Sequence, residues 1–193
     1  MKTLIILAGL LALVLSDVRP HPDPIITHVP KVYKVNIEDP PMVRWAPIIK
    51  DYLEPLSRFM YYFDLIPFPK TFFREVEWYA KNQFKYQDFV AEVDAIARLS
   101  GYPFEKLFVL NFMYELSTVK ACTGIIVRTA EGKIIHGRNL DFNMWLLLSN
   151  MVANLQYHKG GQLLFSVDTI VGSVFTLTAN KPQGFSVEVN TRG

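Results

Sequence analysis

The residues best suited to chemistry lie close together near the middle of the chain. The only cysteine, Cys122, opens the apolar run CTGIIV, and the segment HGRNLD follows at 136–141. A thiolate is a strong nucleophile, and proteins of oxidising compartments normally use their cysteines in pairs. A single thiol therefore indicates either a nucleophile kept out of disulfides or an inert core side chain, since unpaired cysteines are commonly small buried residues.

The position of the cysteine suggests what it would do. If the bond between Ala121 and Cys122 were cut, Cys122 would gain a free α-amine, whose reference pKa of about 7.7–8.0 suits it to take the thiol proton. The thiolate would attack an amide carbonyl and release an amine, and water would then free the acid from the thioester. Arg138 would favour the thiolate and Asp141 would orient the ammonium. Asn139 would orient Arg138 or cap a turn.

Other catalytic classes have less support. A thiol hydrolase with a histidine base would use His136 or His158, but His136 lies in a predicted strand without an obvious acidic partner. The sequence contains no group of His, Cys, Asp and Glu with metal-ligand spacing and no glycine-rich phosphate loop. We therefore expect neither a metal nor a cofactor.

The N-terminus predicts export. A positive start, an apolar run at 4–15 too short to span a bilayer, and small residues before Asp17 indicate a signal peptide over residues 1–16. A lysosomal or secreted product is expected, although no Asn-X-Ser/Thr sequon offers a handle for glycan-dependent sorting. The 20 basic and 18 acidic residues form no basic run, which argues against a nucleic-acid partner.

Three stretches must position the chemical residues. Residues 17–41 are rich in proline and predict an extended arm, in which 31–37 alternates like a half-buried strand. Residues 43–117 have helical apolar spacing, with breaks predicted at Pro55, Pro67, Pro69 and 100–103. Residues 122–193 predict an antiparallel sheet, so the chain is α+β, with a helical region at 17–121 and a β region after it. The predicted strands of the β region are 123–128, 133–137, 152–158, 162–168, 173–179 and 185–190, with turns at 129–132 and 159–161.

The helical region is dense in aromatic side chains. They form either a hydrophobic core or a lipid-facing surface, and we expect the core because large apolar side chains are most often buried. A peripheral contact with a membrane or a micelle is the less favoured hypothesis. The aromatic residues concerned are Phe59, Tyr61, Tyr62, Phe63, Phe68, Phe72, Phe73 and Trp78.

These motifs resemble the acid ceramidase and N-acylethanolamine acid amidase family of N-terminal-nucleophile (Ntn) hydrolases. The resemblance rests on Cys122-Thr123 followed by HGRNLD. It extends to YKVNI at 33–37, PP at 40–41, RW at 44–45, NFMYEL at 111–116, GSV at 172–174 and TLT at 176–178. It covers nearly all of the chain after the predicted signal peptide.

The resemblance implies an activity. In the family a zymogen cleaves itself before the cysteine, here between Ala121 and Cys122, and leaves an α/β heterodimer. The substrates are fatty-acid amides. The short stretch after Asp141 favours the N-acylethanolamine type, and ceramide is the alternative. The resemblance assigns the supporting roles to Arg138 and Asp141.

The resemblance also implies a fold, the start of an αββα sandwich with antiparallel sheets, whose site edge includes Asn190 and Arg192. The sequence departs from the family's pattern, however, because Gly124 stands where a serine is usual and Thr191 where an acidic residue precedes the arginine. Family β-chains are also longer than 122–193, so we expect a sandwich truncated at the C-terminus, without the asparagine of the oxyanion hole. The remaining alternative is a non-catalytic product that binds lipid or a partner and tolerates Cys122→Ala.

Overall fold

The computed structural model describes residues 29–69, 71–113, 121–141 and 145–190. Only the backbone is described for Ala121, Leu140, Asp141, Trp145 and Leu146. The predicted signal peptide, most of the predicted arm and Arg192 lie outside the described residues.

The first described elements are a strand and a series of helices. Strand β1 (Lys31–Asn36) lies inside the predicted arm, and helix α1 (Pro41–Phe63) follows it. Three shorter helices come next, α2 (Phe72–Asn82), α3 (Gln87–Ser100) and α4 (Phe104–Leu110). The predicted breaks at 67–69 and 100–103 are confirmed, because no helix includes 67–69 or 101–103 and α3 ends at Ser100.

The predicted break at Pro55 is wrong, since Pro47 and Pro55 both lie inside α1. A proline within a helix costs about 3 kcal/mol, because it removes a hydrogen bond and crowds the preceding turn. Burial of one large apolar side chain contributes roughly 1.5–3 kcal/mol. The buried face of α1 is large enough to offset two prolines, and it consists of Trp45, Ile48, Ile49, Tyr52, Leu56, Phe59, Met60 and Phe63.

The β region forms two sheets. A hairpin of β2 (Ala121–Arg128) and β3 (Ile134–Asp141) is one sheet, and the short helix α5 (Trp145–Ser149) follows it. The larger sheet has the described order β1-β4-β5-β6-β7. Its remaining strands are β4 (Val152–Lys159), β5 (Gln162–Ile170), β6 (Thr178–Asn180) and β7 (Ser186–Glu188). The chain is therefore α+β, as predicted.

The described strand pairs within 122–193 are all antiparallel, as predicted, but the larger sheet is mixed because it also includes β1. β1 pairs parallel with β4, from Lys31 opposite Ala153 to Asn36 opposite His158, whereas the other pairs are antiparallel. A parallel pair needs a long crossover connection, and the helices between β1 and β4 form part of it.

The strand predicted at 173–179 is wrong over most of its length, because the only described strand there, β6, begins at Thr178. The turn at Gly172 has a φ of +99°, and the Asn111 side chain accepts the N–H of Val174 that a neighbouring strand would otherwise bind. The strand predicted at 185–190 shortens to β7.

The hydrophobic core lies between the helices and the larger sheet. Phe59, Phe63 and Phe108 from the helices and Leu155 from β4 are each at most 3% exposed. Most of the aromatic side chains thus belong to the core or pack against it, as expected, while Tyr61, Tyr62 and Trp78 are exposed. None of the described helices combines the length and the apolar character needed to cross a membrane.

Candidate active site

The hairpin β2–β3 places Cys122 and Arg138 on one face. Gly124 lies opposite Arg138 in the antiparallel register, and Cys122 and His136 lie two residues before Gly124 and Arg138, respectively, on the same strands. Because side chains alternate across a strand and opposite residues share a face, these positions all point to the same side. The turn closes locally, since Thr129 N–H donates to the Lys133 carbonyl at 2.8 Å.

The structure brings Cys122 and Arg138 together. Nη2 of Arg138 lies 3.9 Å from the Sγ atom of Cys122, and the same nitrogen donates to the carbonyl oxygen of Val189 at 2.9 Å. The guanidinium side chain is only 8% exposed, and Cys122 is half-buried. The positive charge of the guanidinium therefore lies beside the sulfur atom.

Asp141 comes to the same end of the hairpin. Its backbone pairs with that of Ala121, the residue before the cysteine, so both sides of the predicted scissile bond lie at the end of a strand pair. Asn139 is exposed and lies opposite Thr123 in the register. The roles of Asp141 and Asn139 stay predictions.

A carboxylate that the sequence analysis missed lies against this face. Oε2 of Glu188 is 3.3 Å from Nε2 of His136 and 4.0 Å from Nε of Arg138. The side chain of Asn190 donates a hydrogen bond to the other carboxylate oxygen of Glu188, Oε1, at 2.8 Å. Asn190 is therefore connected to the site through Glu188. The sequence signal for Glu188 was its position as a charged side chain between Val187 and Val189 in the strand predicted at 185–190.

The two histidines have different surroundings. Nδ1 of His136 lies 2.6 Å from the hydroxyl of Ser186, and Glu188 approaches Nε2. The expectation that His136 lacks an acidic partner is therefore wrong, because β7 supplies one from far along the chain. Nδ1 of His158 lies 2.8 Å from the carbonyl oxygen of Gln156, a local contact away from the cysteine.

Two cavities border Arg138 and His136. One has a volume of about 500 Å³ and is also lined by Phe185 and Ser186. The other, of about 530 Å³, has an apolar wall of Val152, Ile170, Phe175 and Leu177. Within the described part of the chain, no three His, Cys, Asp or Glu side chains are grouped as metal ligands would be.

Known families match both parts of the chain. Residues 122–193 match the family described as linear amide C–N hydrolases, choloylglycine hydrolase family. Residues 28–89 match the family described as the beta subunit of N-acylethanolamine-hydrolyzing acid amidase. That description gives the label beta to a segment before Cys122, within the helical region at 17–121.

Individual proteins with related descriptions are similar to this chain. An N-acylethanolamine-hydrolyzing acid amidase of Caenorhabditis elegans is 32% identical over 173 residues, which are 84% of this chain and 48% of that protein. The acid ceramidase of Homo sapiens is 28% identical over 181 residues, 83% of this chain and 45% of that protein. A solved structure of a Caenorhabditis elegans N-acylethanolamine-hydrolyzing acid amidase ortholog has 28% identity and a TM-score of 0.39, covering 47% of this chain and 90% of that one.

The class defined by the sequence of the β region is therefore that of linear-amide hydrolases. Within it, the chain belongs to the family of the acid ceramidases and the N-acylethanolamine-hydrolyzing acid amidases, as the resemblance predicted. The chain spans about half the length of the curated relatives it matches.

Proposed function

We propose that this chain contains the nucleophile of an acid amidase that hydrolyses fatty-acid amides after cleaving itself before Cys122. The observation that supports this most directly is the Arg138 guanidinium 3.9 Å from the Cys122 thiol, near the start of β2. A buried cation beside a thiol favours the reactive thiolate. The family match adds the reaction class, hydrolysis of linear amides.

The proposed reaction has two stages. In the first, water hydrolyses the bond between Ala121 and Cys122, which leaves a carboxylate on Ala121 and a free α-amine on Cys122. In the second, this amine takes the thiol proton, and the thiolate attacks the substrate carbonyl to form a thioester while the protonated amine leaves. Water, activated by the same α-amine, then releases the fatty acid and restores the thiol.

Asp141 is the proposed partner of the new amine. Its backbone lies opposite Ala121 in the hairpin, so the carboxylate belongs to a residue next to the position where the ammonium would form. A carboxylate beside an ammonium favours the charged form and fixes its direction. Arg138 would stabilise the thiolate, and Asn139, Asn190 and Arg192 are proposed to line the site edge.

N-acylethanolamines are the proposed substrates, and ceramide is the runner-up. The descriptions of the family and of the worm relative name N-acylethanolamine hydrolysis for those proteins. The larger cavity beside Arg138 has an apolar wall that includes Phe175 and Leu177, which suits part of an acyl chain. Release of fatty acid from an N-acylethanolamine and from a ceramide, compared in one assay, tests this choice.

The proposed location is the secretory pathway, with a lysosomal or secreted product, because residues 1–16 have the pattern of a signal peptide. We also propose peripheral contact with membrane or micelle, where such lipids reside. Tyr61, Tyr62 and Leu65 are between 42% and 66% exposed at the end of α1 and just after it. Sedimentation with neutral phospholipid vesicles tests the contact, and Tyr61→Ser with Leu65→Ser should weaken it.

Intact-mass spectrometry of the purified protein after incubation at acidic pH tests self-cleavage. We expect two fragments that separate between Ala121 and Cys122. Cys122→Ala should remain whole, whereas the matched control Thr123→Ala, one residue further along β2, should cleave. The two cleaving proteins should also release fatty acid from the amide substrate.

An intact wild-type mass, or cleavage that persists in Cys122→Ala, would contradict the proposal. A chain that stays whole yet still sediments with vesicles would instead favour the non-catalytic alternative, a product that binds lipid or a partner.

A further inference from the structure

We propose that Glu188 is a positioning residue for the site of Cys122 and Arg138, and that Gly124 provides the space its carboxylate needs. The catalytic meaning of this inference rests on the function proposed above, whereas the contacts behind it do not. The acidic side chain comes from β7 of the larger sheet, and the residues it positions come from the hairpin β2–β3.

Glu188 supplies a negative charge close to the buried Arg138 guanidinium. The Arg138 side chain is 8% exposed, and a buried guanidinium is costly unless an opposite charge or good acceptors compensate it. Glu188, 15% exposed, lies with Oε2 4.0 Å from Nε of Arg138. The carboxylate is thus close enough to offset the arginine's charge without pairing tightly with it.

The end of β7 also fixes the position of the Arg138 guanidinium. β7 and the residue after it contact the guanidinium in two places, because the Val189 carbonyl accepts from Nη2 and Glu188 faces Nε. Nη2 is the same nitrogen that lies 3.9 Å from the Cys122 sulfur. The hydrogen bond to Val189 fixes Nη2, and the Glu188 carboxylate attracts the guanidinium without a hydrogen bond to Nε, so together they hold the positive charge beside the thiol.

The carboxylate is itself held in place. Asn190 donates to Oε1 at 2.8 Å, and Nε2 of His136 lies 3.3 Å from Oε2. His136 is in turn 2.6 Å from the Ser186 hydroxyl. Glu188 is therefore the centre of a small polar cluster that links β7 to β3.

Gly124 leaves the space that the Glu188 carboxylate occupies. Gly124 lies directly opposite Arg138, and a Cβ atom built on Gly124 would overlap Oε1 of Glu188. No other residue type leaves this space empty, so the glycine and the carboxylate form a matched pair. At Gly137, on the neighbouring strand, an added Cβ meets nothing within 4 Å, and this position offers a matched control.

The test is the pH profile of Cys122 alkylation by iodoacetamide in the full chain, because the rate follows the thiolate fraction. In Glu188→Gln the shape is kept and the charge is lost, so the buried Arg138 loses its counter-charge and moves away from the thiol. We expect the midpoint of the profile to move to higher pH and alkylation on its acidic side to slow about tenfold. An unchanged midpoint, or one moved to lower pH, would overturn the proposal.

Combining Glu188→Gln with Arg138→Met shows whether Glu188 acts through Arg138. In Arg138→Met the alkylation profile should already have moved to higher pH, and adding Glu188→Gln should change it no further. If Glu188→Gln shifts the profile equally with and without Arg138, the carboxylate acts on the thiol by itself and the positioning role is wrong.

The glycine is tested with the same readout. Gly124→Ala should move the profile in the same direction as Glu188→Gln, whereas Gly137→Ala should leave it unchanged. When Glu188 is already Ala, Gly124→Ala should have no further effect, because the overlap is gone. Equal profiles for the two single glycine variants would show that the steric pairing is wrong.

Failure of the proposed function is distinguishable from failure of this inference. The first appears as absent self-cleavage in the wild type, which intact mass reports. The second appears in the alkylation profiles, which are measured on the uncleaved chain at neutral and higher pH and need no turnover.

Discussion

The side-chain oxygen of Asn111 accepts a hydrogen bond from the backbone N–H of Val174 at 2.6 Å. Its amide nitrogen donates to the carbonyl oxygens of Leu107 at 2.8 Å and of Gly172 at 3.1 Å. One buried side chain, 3% exposed, thus ties the end of helix α4 to the turn between β5 and β6. The helical region and the β region are therefore joined by specific polar bonds as well as by apolar packing.

Replacing Asn111 should destabilise the protein strongly. Leucine has a similar volume to asparagine, but Asn111→Leu removes the side-chain partner of the Val174 N–H and of the Gly172 carbonyl, and each buried polar group left unpaired costs about 1–3 kcal/mol. We expect the free energy of unfolding in urea to fall by at least about 2 kcal/mol. Asn154→Ala is the control, because its bond to Asp168 is exposed, and its effect should stay within about 0.5 kcal/mol. Equal effects of the two variants would contradict this reading of the bond network.

Tyr157 should make the protein sensitive to alkali. Burial, with a smaller effect of the Glu92 carboxylate, raises the pKa of Tyr157 from 10.0 to about 12. A folded-state pKa above the unfolded value stabilises the protein below pH 10, and this contribution is lost as the pH rises through 12. Two units correspond to about 2–3 kcal/mol.

Tyr157→Phe keeps the ring that stacks on Phe165 and removes the titrating hydroxyl. The variant should therefore lose less stability than the wild type between pH 10 and 12, as followed by urea unfolding at several pH values. Tyr61→Phe, at an exposed position, should behave as the wild type does. Parallel stability curves for wild type and Tyr157→Phe would contradict the prediction.

Asp51 should contribute stability only above acidic pH. Hydrogen bonds from the Tyr33 hydroxyl and from Lys31 lower the pKa of Asp51 below its ordinary value of 3.8. A lowered folded-state pKa gives stability above pH 3.8 that is lost as the pH falls through the folded value. Asp51→Asn should therefore melt below the wild type at neutral pH and match it at strongly acidic pH. The control Asp94→Asn removes a surface ion pair with Arg98 inside α3, and should change the melting temperature little.

The two products of the proposed self-cleavage should remain associated. β1 belongs to the segment before Cys122 but pairs with β4 after it, and the Tyr52 hydroxyl donates to the Val152 carbonyl at 2.8 Å. We expect both fragments to elute together in native size-exclusion chromatography and to separate only in denaturant. Separation under native conditions would mean that these contacts do not suffice without the covalent link.

The hairpin of the candidate site was predictable because its signals are local. The alternation on both sides of 129–132 predicts two paired strands, and their pairing sets Arg138 near Cys122 without reference to the rest of the fold. Glu188 was not predictable in this way. It reaches Arg138 only because β7 packs across the face of the hairpin, a contact between distant parts of the chain.

The same distinction explains the errors in the fold. The alternation at 31–37 predicts a strand but cannot identify its partner, so the parallel pairing with β4 was missed. Pro55 is a local signal for a helix end, but the tertiary packing of α1 overrides it. The strand predicted at 173–179 fails for a similar reason, because Asn111 takes the N–H of Val174.

The parallel pair of β1 and β4 has a consequence for biosynthesis. Gly160, just after β4, donates to the carboxylate of Glu38, just after β1, across 122 residues of sequence. Ribosomes add about 5–20 residues per second, so β1 must wait on the order of ten seconds before its partner strand exists. During that interval the helices can fold through local contacts while the edge of β1 remains open to other chains. We therefore expect the risk of aggregation to be highest before synthesis is complete, when the edge of β1 would need the protection of a chaperone.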